Sequence, residues 1–63
     1  MEYNILVKKL RAKLILTQEE FAKFLGTSAI SIVRWEAGTF EPTMKMKRKI
    51  MELCIKHKIV ENE

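Results

Sequence analysis

Few residues in this chain have the type and spacing that bond-making chemistry requires. Glu19 and Glu20 are adjacent carboxylates, but neighbours on a helix point apart and do not converge on one proton as an acid/base pair must. His57 belongs to no cluster of Asp, Glu or Cys at metal-ligand spacing, which makes a solvated surface histidine its expected state. Cys54 is the one cysteine. It has no internal disulfide partner, offers no structural zinc site, and reads as a core residue in a reducing compartment. No enzyme, metal site or cofactor is expected. What remains is cationic chemistry: Arg34, and the run Lys45, Lys47, Arg48 and Lys49, suit the recognition of phosphates. Lys and Arg outnumber Asp and Glu 12 to 8 for a net charge of +4, a field that draws in polyanions. The same charge also serves plain solubility.

The elements that must position these groups are helical. Apolar residues make up 48% of the 63 and charged residues 32%, a balance that suits one compact domain rather than a disordered chain. Tyr3, Leu6, Val7, Leu10 and Leu14 recur at three- and four-residue spacing behind Asn4 as a candidate N-cap, giving a first helix. Thr17-Gln18-Glu19-Glu20 has the form of a capping box and opens a second, with Phe21, Ala22 and Leu25 as its inner stripe and Gly26 at its exit. Thr27 and Ser28 offer a fresh cap for a third helix, whose Ile32 and Trp35 face inward and which Gly38 closes. Pro42 and Thr43 then precede a fourth, from about Met44 towards Lys58, with Met46, Ile50, Leu53 and Cys54 inside. The methionines are expected to fill gaps in the core. The last three residues, ENE, are expected to fray. MEYNILVKKLRAKL lacks the pattern of a secretory leader, and no run of roughly 18 apolar residues exists to span a bilayer. A cytoplasmic protein with no membrane partner is expected.

Two short helices joined by a tight glycine turn are the physical content of a helix-turn-helix, here at about residues 17–37. Ala22 supplies the small side chain where the two helices cross, and Gly26, Ile32 and Trp35 follow as turn, apolar and apolar. The segment from Thr17 to Pro42, TQEEFAKFLGTSAISIVRWEAGTFEP, resembles the Cro and phage-repressor helix-turn-helix family of the xenobiotic-response-element type. The resemblance extends from Leu6 to the helix after Pro42. It implies an all-α bundle of four or five helices of the lambda-repressor-like kind, spanning residues 1–63 as one domain.

Site residues follow from the resemblance. The Thr-Gln pair that opens the second helix against a DNA phosphate falls on Thr17 and Gln18, and Ser28, Thr39, Thr43 and Lys45 complete the candidate phosphate contacts. A family ion pair between the ends of the first and third helices falls on Arg11 and Glu36. The recognition helix runs from about Ser28 to Ala37. On a helical wheel Ser28, Ile32, Trp35 and Glu36 lie on one side, leaving Ala29, Ile30, Val33 and Arg34 as candidate base contacts, with Ala37 beside them. Arg34 can grip guanine O6 and N7 in a bidentate contact. Ala29, Ile30 and Val33 depart from the polar side chains usual in the family and suit thymine methyl groups, so an A/T-leaning half-site with one guanine is expected. Leu14-Ile15 departs too, where relatives carry a polar residue followed by glycine or asparagine.

The resemblance implies a DNA-binding regulator, a minimal repressor of phage or mobile-element type. It would bind double-stranded DNA in the nucleoid as a homodimer on an inverted repeat, with half-site centres roughly 34 Å apart and no small-molecule ligand. A second reading keeps the scaffold and uses Ile30 and Val33 to dock another protein.

Overall fold

The computed structural model describes residues 2–59. Four helices occupy them: α1 (Tyr3–Leu14), α2 (Gln18–Leu25), α3 (Ala29–Ala37) and α4 (Met44–Lys56). There is no strand among the described residues. The ENE tail lies outside them.

The entries to three helices are fixed by side chains that satisfy otherwise orphaned amides. Thr17 accepts from Glu20 N while the Glu20 carboxylate takes Thr17 N, a complete capping box. Ser28 caps α3 through Ser31 N, and Thr43 caps α4 through Met46 N. The entry to α1 differs from the sequence expectation. Helical geometry begins at Tyr3 after an extended Glu2, so Asn4 lies inside the first turn instead of capping it. Tyr3 packs on the core beside the buried Leu6 and Val7, and only a helical Tyr3 shares that stripe.

The exits of α1, α2 and α3 share one geometry. Ile15, Gly26 and Gly38 are each left-handed, with φ of 56°, 82° and 78°. In each case the next residue's amide reaches back to the carbonyl five residues earlier: Leu16 to Arg11, Thr27 to Ala22, Thr39 to Arg34. Glycine adopts this conformation without penalty. A Cβ on Gly26 would meet nothing within 4 Å, so it is the dihedral, not crowding, that selects glycine at the turn between α2 and α3. Ile15 makes the same turn with a β-branched side chain, an unusual and strained choice.

The core is a single cluster: Leu6, Val7 and Leu10 of α1, Phe21, Ala22 and Leu25 of α2, Ile32 and Trp35 of α3, Ile50 and Cys54 of α4. Tyr3, Leu14, Met46, Met51 and Leu53 pack around it. Met44 does not fill a gap; it is 66% exposed, because it sits at the first residue of α4, outside the inner stripe. α3 rests on both α2 and α1, and α4 closes over α1. Each large side chain fully removed from water contributes roughly 1.5–3 kcal/mol. Truncating Phe21, which is 0% exposed, would cost about 3–5 kcal/mol, a large share of the stability of so short a chain.

Candidate nucleic-acid interface

Because α3 packs on α1 and α2 through Ile32, Trp35 and Glu36, its opposite side is left open. Ile30 and Val33 are 61% and 46% exposed, and Arg34 and Ala37 are exposed with them. Ala29 departs from the expected side: it is half-buried against the core. Ser28 departs the other way and is exposed. Ser28 is the N-cap, with extended backbone to which helical angular spacing does not apply, whereas Ala29 is helical and lies three and seven positions before Ile32 and Glu36, so the regular spacing itself turns it toward the core.

Arg34 is held in place by the loop that follows. Its guanidinium carbon lies 5.1 Å from the centroid of the Phe40 ring, over the ring, within cation–π range. Phe40 is 55% exposed and was not foreseen as a site residue. Its partner lies six positions back across a left-handed turn, where neither helical nor strand periodicity relates two side chains.

On the inward side, Glu36 is buried and gathers three donors. Arg11 Nε donates to Oε2 at 2.6 Å and Arg11 Nη2 to Oε1 at 3.2 Å, while Gln18 Nε2 donates to Oε1 at 3.1 Å. Arg11 Nη1 also donates to the Leu16 carbonyl. This fork-on-fork geometry suits Arg and not Lys. The hydrogen bond to Glu36 raises the Arg11 pKa above its ordinary value against the opposing effect of burial, so the guanidinium stays charged at any working pH. The network ties the end of α1, the start of α2 and the end of α3 together. Gln18 is thereby turned partly inward, a tie the sequence did not signal.

Of the candidate phosphate contacts, Thr17, Ser28 and Thr43 are all helix N-caps. Each hydroxyl oxygen accepts a helix amide; in such a cap the O–H remains a donor, and that of Ser28 shares a 3.0 Å hydrogen bond with the Ser31 hydroxyl. Thr39 sits in the exposed loop after α3, and Lys45 is exposed in the first turn of α4. The basic run of α4 is less uniform than its sequence suggests. Lys47 pairs with Glu41 at 2.7 Å and lies over the Tyr3 ring. Lys49 donates to the Leu25 carbonyl at the end of α2. Lys45 and Arg48 are exposed. Cys54 is buried and free, and burial pushes its thiol pKa up, which disfavours the reactive thiolate.

Capped α2 and α3, meeting across a left-handed glycine with an inward network and a bare outward face, define a helix-turn-helix protein. The helix-turn-helix family profile matches residues 7–56, and the chain belongs to that family, of the Cro and repressor type. An uncharacterized HTH-type transcriptional regulator of Archaeoglobus fulgidus is 43% identical over 44 residues, covering 70% of this chain. The same stretch is 62% of that relative's length. No solved structure matches significantly. Among the described residues no helix is long and apolar enough to cross a membrane, and no group of three or more His, Cys, Asp or Glu is placed to hold a metal.

Proposed function

We propose that this protein is a DNA-binding transcriptional regulator that seats α3 in the major groove of double-stranded DNA. The observation that carries the reading is the outward side of α3. Packing leaves it solvent-exposed along its length, and it presents one long hydrogen-bonding side chain, Arg34, between apolar neighbours. On this reading Arg34 grips a guanine, and Ala29, Ile30 and Val33 contact thymine methyl groups. The half-buried Ala29 has the least reach of the three. Thr17, Gln18, Ser28, Thr39, Thr43 and Lys45 hold phosphates and set the register without reading sequence. Arg11 and Glu36 act by fixing α3 to the rest of the bundle.

The net charge of +4 and the similarity to an HTH-type transcriptional regulator of Archaeoglobus fulgidus support a regulator. The finer form of the proposal is a minimal repressor of phage or mobile-element type in the cytoplasm. It acts through residues 1–63 as one domain, with the helix-turn-helix proper at about 17–37, and binds an inverted repeat as a homodimer. Selection of bound sequences from random duplex DNA tests it: an enriched, two-fold-symmetric, A/T-leaning site with one guanine per half is expected, and no enrichment refutes it. The exposure of Ile30 and Val33 favours one other reading, a protein-docking face. On that reading Ile30→Asp abolishes a protein complex, and DNA binding is weak and blind to sequence.

A further inference from the structure

We infer that Phe40 is a positioning residue that sets sequence specificity through Arg34; the inference rests on the DNA-binding reading. The loop after α3 doubles back on the helix. Gly38 turns left-handed at φ 78°, and Thr39 N and Phe40 N reach the Arg34 carbonyl at 3.1 and 3.5 Å. This return brings the Phe40 ring to the Arg34 guanidinium, 5.1 Å from ring centroid to guanidinium carbon. The ring lies outside the buried core cluster and is 55% exposed; it borders a surface cavity with Tyr3, Asn4 and Trp35, and its exposed face is the one the Arg34 guanidinium covers.

An arginine side chain is long and rich in rotamers, and a ring face under it restricts where the guanidinium rests. A guanidinium stacked on a ring keeps its in-plane donors for other partners. Ala29, Ile30, Val33 and Ala37 offer a base no side-chain hydrogen bond. Discrimination by hydrogen bonding on this face therefore falls on Arg34, and whatever fixes Arg34 fixes the preference for guanine.

The test uses the full chain as parent, Phe40→Leu, Phe40→Tyr, Arg34→Ala and the Arg34→Ala/Phe40→Leu double variant. Each is titrated with a selected duplex, the same duplex with its guanine pair replaced, and an unrelated duplex. Leucine keeps apolar bulk and removes the ring face; tyrosine keeps the face. Phe40→Leu is expected to reduce discrimination at the guanine roughly two- to five-fold, from the strength of an exposed cation–π contact. Affinity for the unrelated duplex stays unchanged. Phe40→Tyr retains discrimination, and Phe40→Leu has no further effect once Arg34 is alanine. In the free protein, the Arg34 side-chain proton resonances carry an upfield ring-current shift that Phe40→Leu removes. If the parent discriminates and Phe40→Leu discriminates equally well, the inference is wrong while the DNA-binding reading stands. A uniform loss of affinity across all three duplexes also overturns it, since that is the mark of a backbone or stability role. A parent blind to sequence overturns both.

Discussion

On one side of α3, Ile32, Trp35 and Glu36 are 0%, 6% and 6% exposed; on the other, Ile30 and Val33 are 61% and 46% exposed. The two sides share one nine-residue helix, and both are largely apolar. The inward side is locked: its aliphatic and aromatic groups lie in the core, and its single charge is met by Arg11 and Gln18. On the outward side the apolar groups remain in water, forgoing the roughly 1.5–3 kcal/mol that full burial of each would contribute. Its charge rests on the half-exposed ring of Phe40. Stability accounts for the first side. Stability does not account for the second, and the proposed function assigns it to contact with DNA.

The comparison breaks first at the ion pair. Arg11→Ala leaves the Glu36 carboxylate, 7% exposed as a side chain, with only the Gln18 amide. Because Arg11 is itself 28% exposed, the cost is set below that of a fully buried pair, at about 2–3 kcal/mol. A fall in melting temperature of roughly 10–20 °C is expected by thermal denaturation. Ile30→Ala and Val33→Ala, on the outward side, should change stability by less than about 0.5 kcal/mol. If the outward substitutions cost as much as the inward one, the two sides are not distinct.

A second substitution sharpens what exposure means. Ile15 is 88% exposed, more than Ile30, yet its cost lies in the backbone because φ is 56°. Ile15→Gly relieves the left-handed strain at some expense in unfolded-state entropy, for a net gain of about 0.5–1 kcal/mol. The melting temperature should rise by a few degrees; a fall would mean that the Ile15 side chain makes a contact worth more than the strain.

The smallest effect belongs to the surface pair Glu41–Lys47. The hydrogen bond from Lys47 holds the Glu41 carboxyl below its usual range, and the same bond raises Lys47. A lowered acid contributes stability at neutral pH that is lost as pH falls through its folded pKa, whereas the raised lysine loses its contribution only in strong alkali. Glu41→Gln should therefore lower the melting temperature slightly at pH 7, with the gap to the parent closing as pH falls through the carboxylate range. A gap that is large, or constant with pH, would contradict a solvent-screened pair.

The helices were legible because their ends are chemically marked. Thr17 with Glu20, Gly26, Gly38 and Pro42 punctuate the chain, and the apolar spacing between them gives the buried stripes of α1, α2 and α4. Sequence reasoning failed where the chain leaves regular geometry. Asn4 has the right chemistry for a cap, but the helix already includes Tyr3, which packs against the edge of the core. Ser28 sits before the helical wheel begins, and Ala29, at the first position of α3, shares the side of Ile32 and Glu36. The runs of Lys and Arg in α4 look alike in sequence, yet Lys47 and Lys49 are claimed by Glu41 and by the Leu25 carbonyl through tertiary packing. The Gln18–Glu36 bond spans 18 residues, and the Arg34–Phe40 contact crosses a left-handed turn. Neither has a local pattern to announce it.

The outward side of α3 is best judged by titrating the parent and Arg34→Ala against a selected duplex and a scrambled one at two salt concentrations. The parent should prefer the selected site, with affinity falling steeply as salt rises because neutralised phosphates release their counterions. Arg34→Ala should lose roughly 1–3 kcal/mol of discrimination at one base pair in each half-site while binding scrambled DNA nearly as well as the parent. A parent that binds both duplexes equally would contradict the DNA-regulator account and leave the apolar side of α3 to a protein partner.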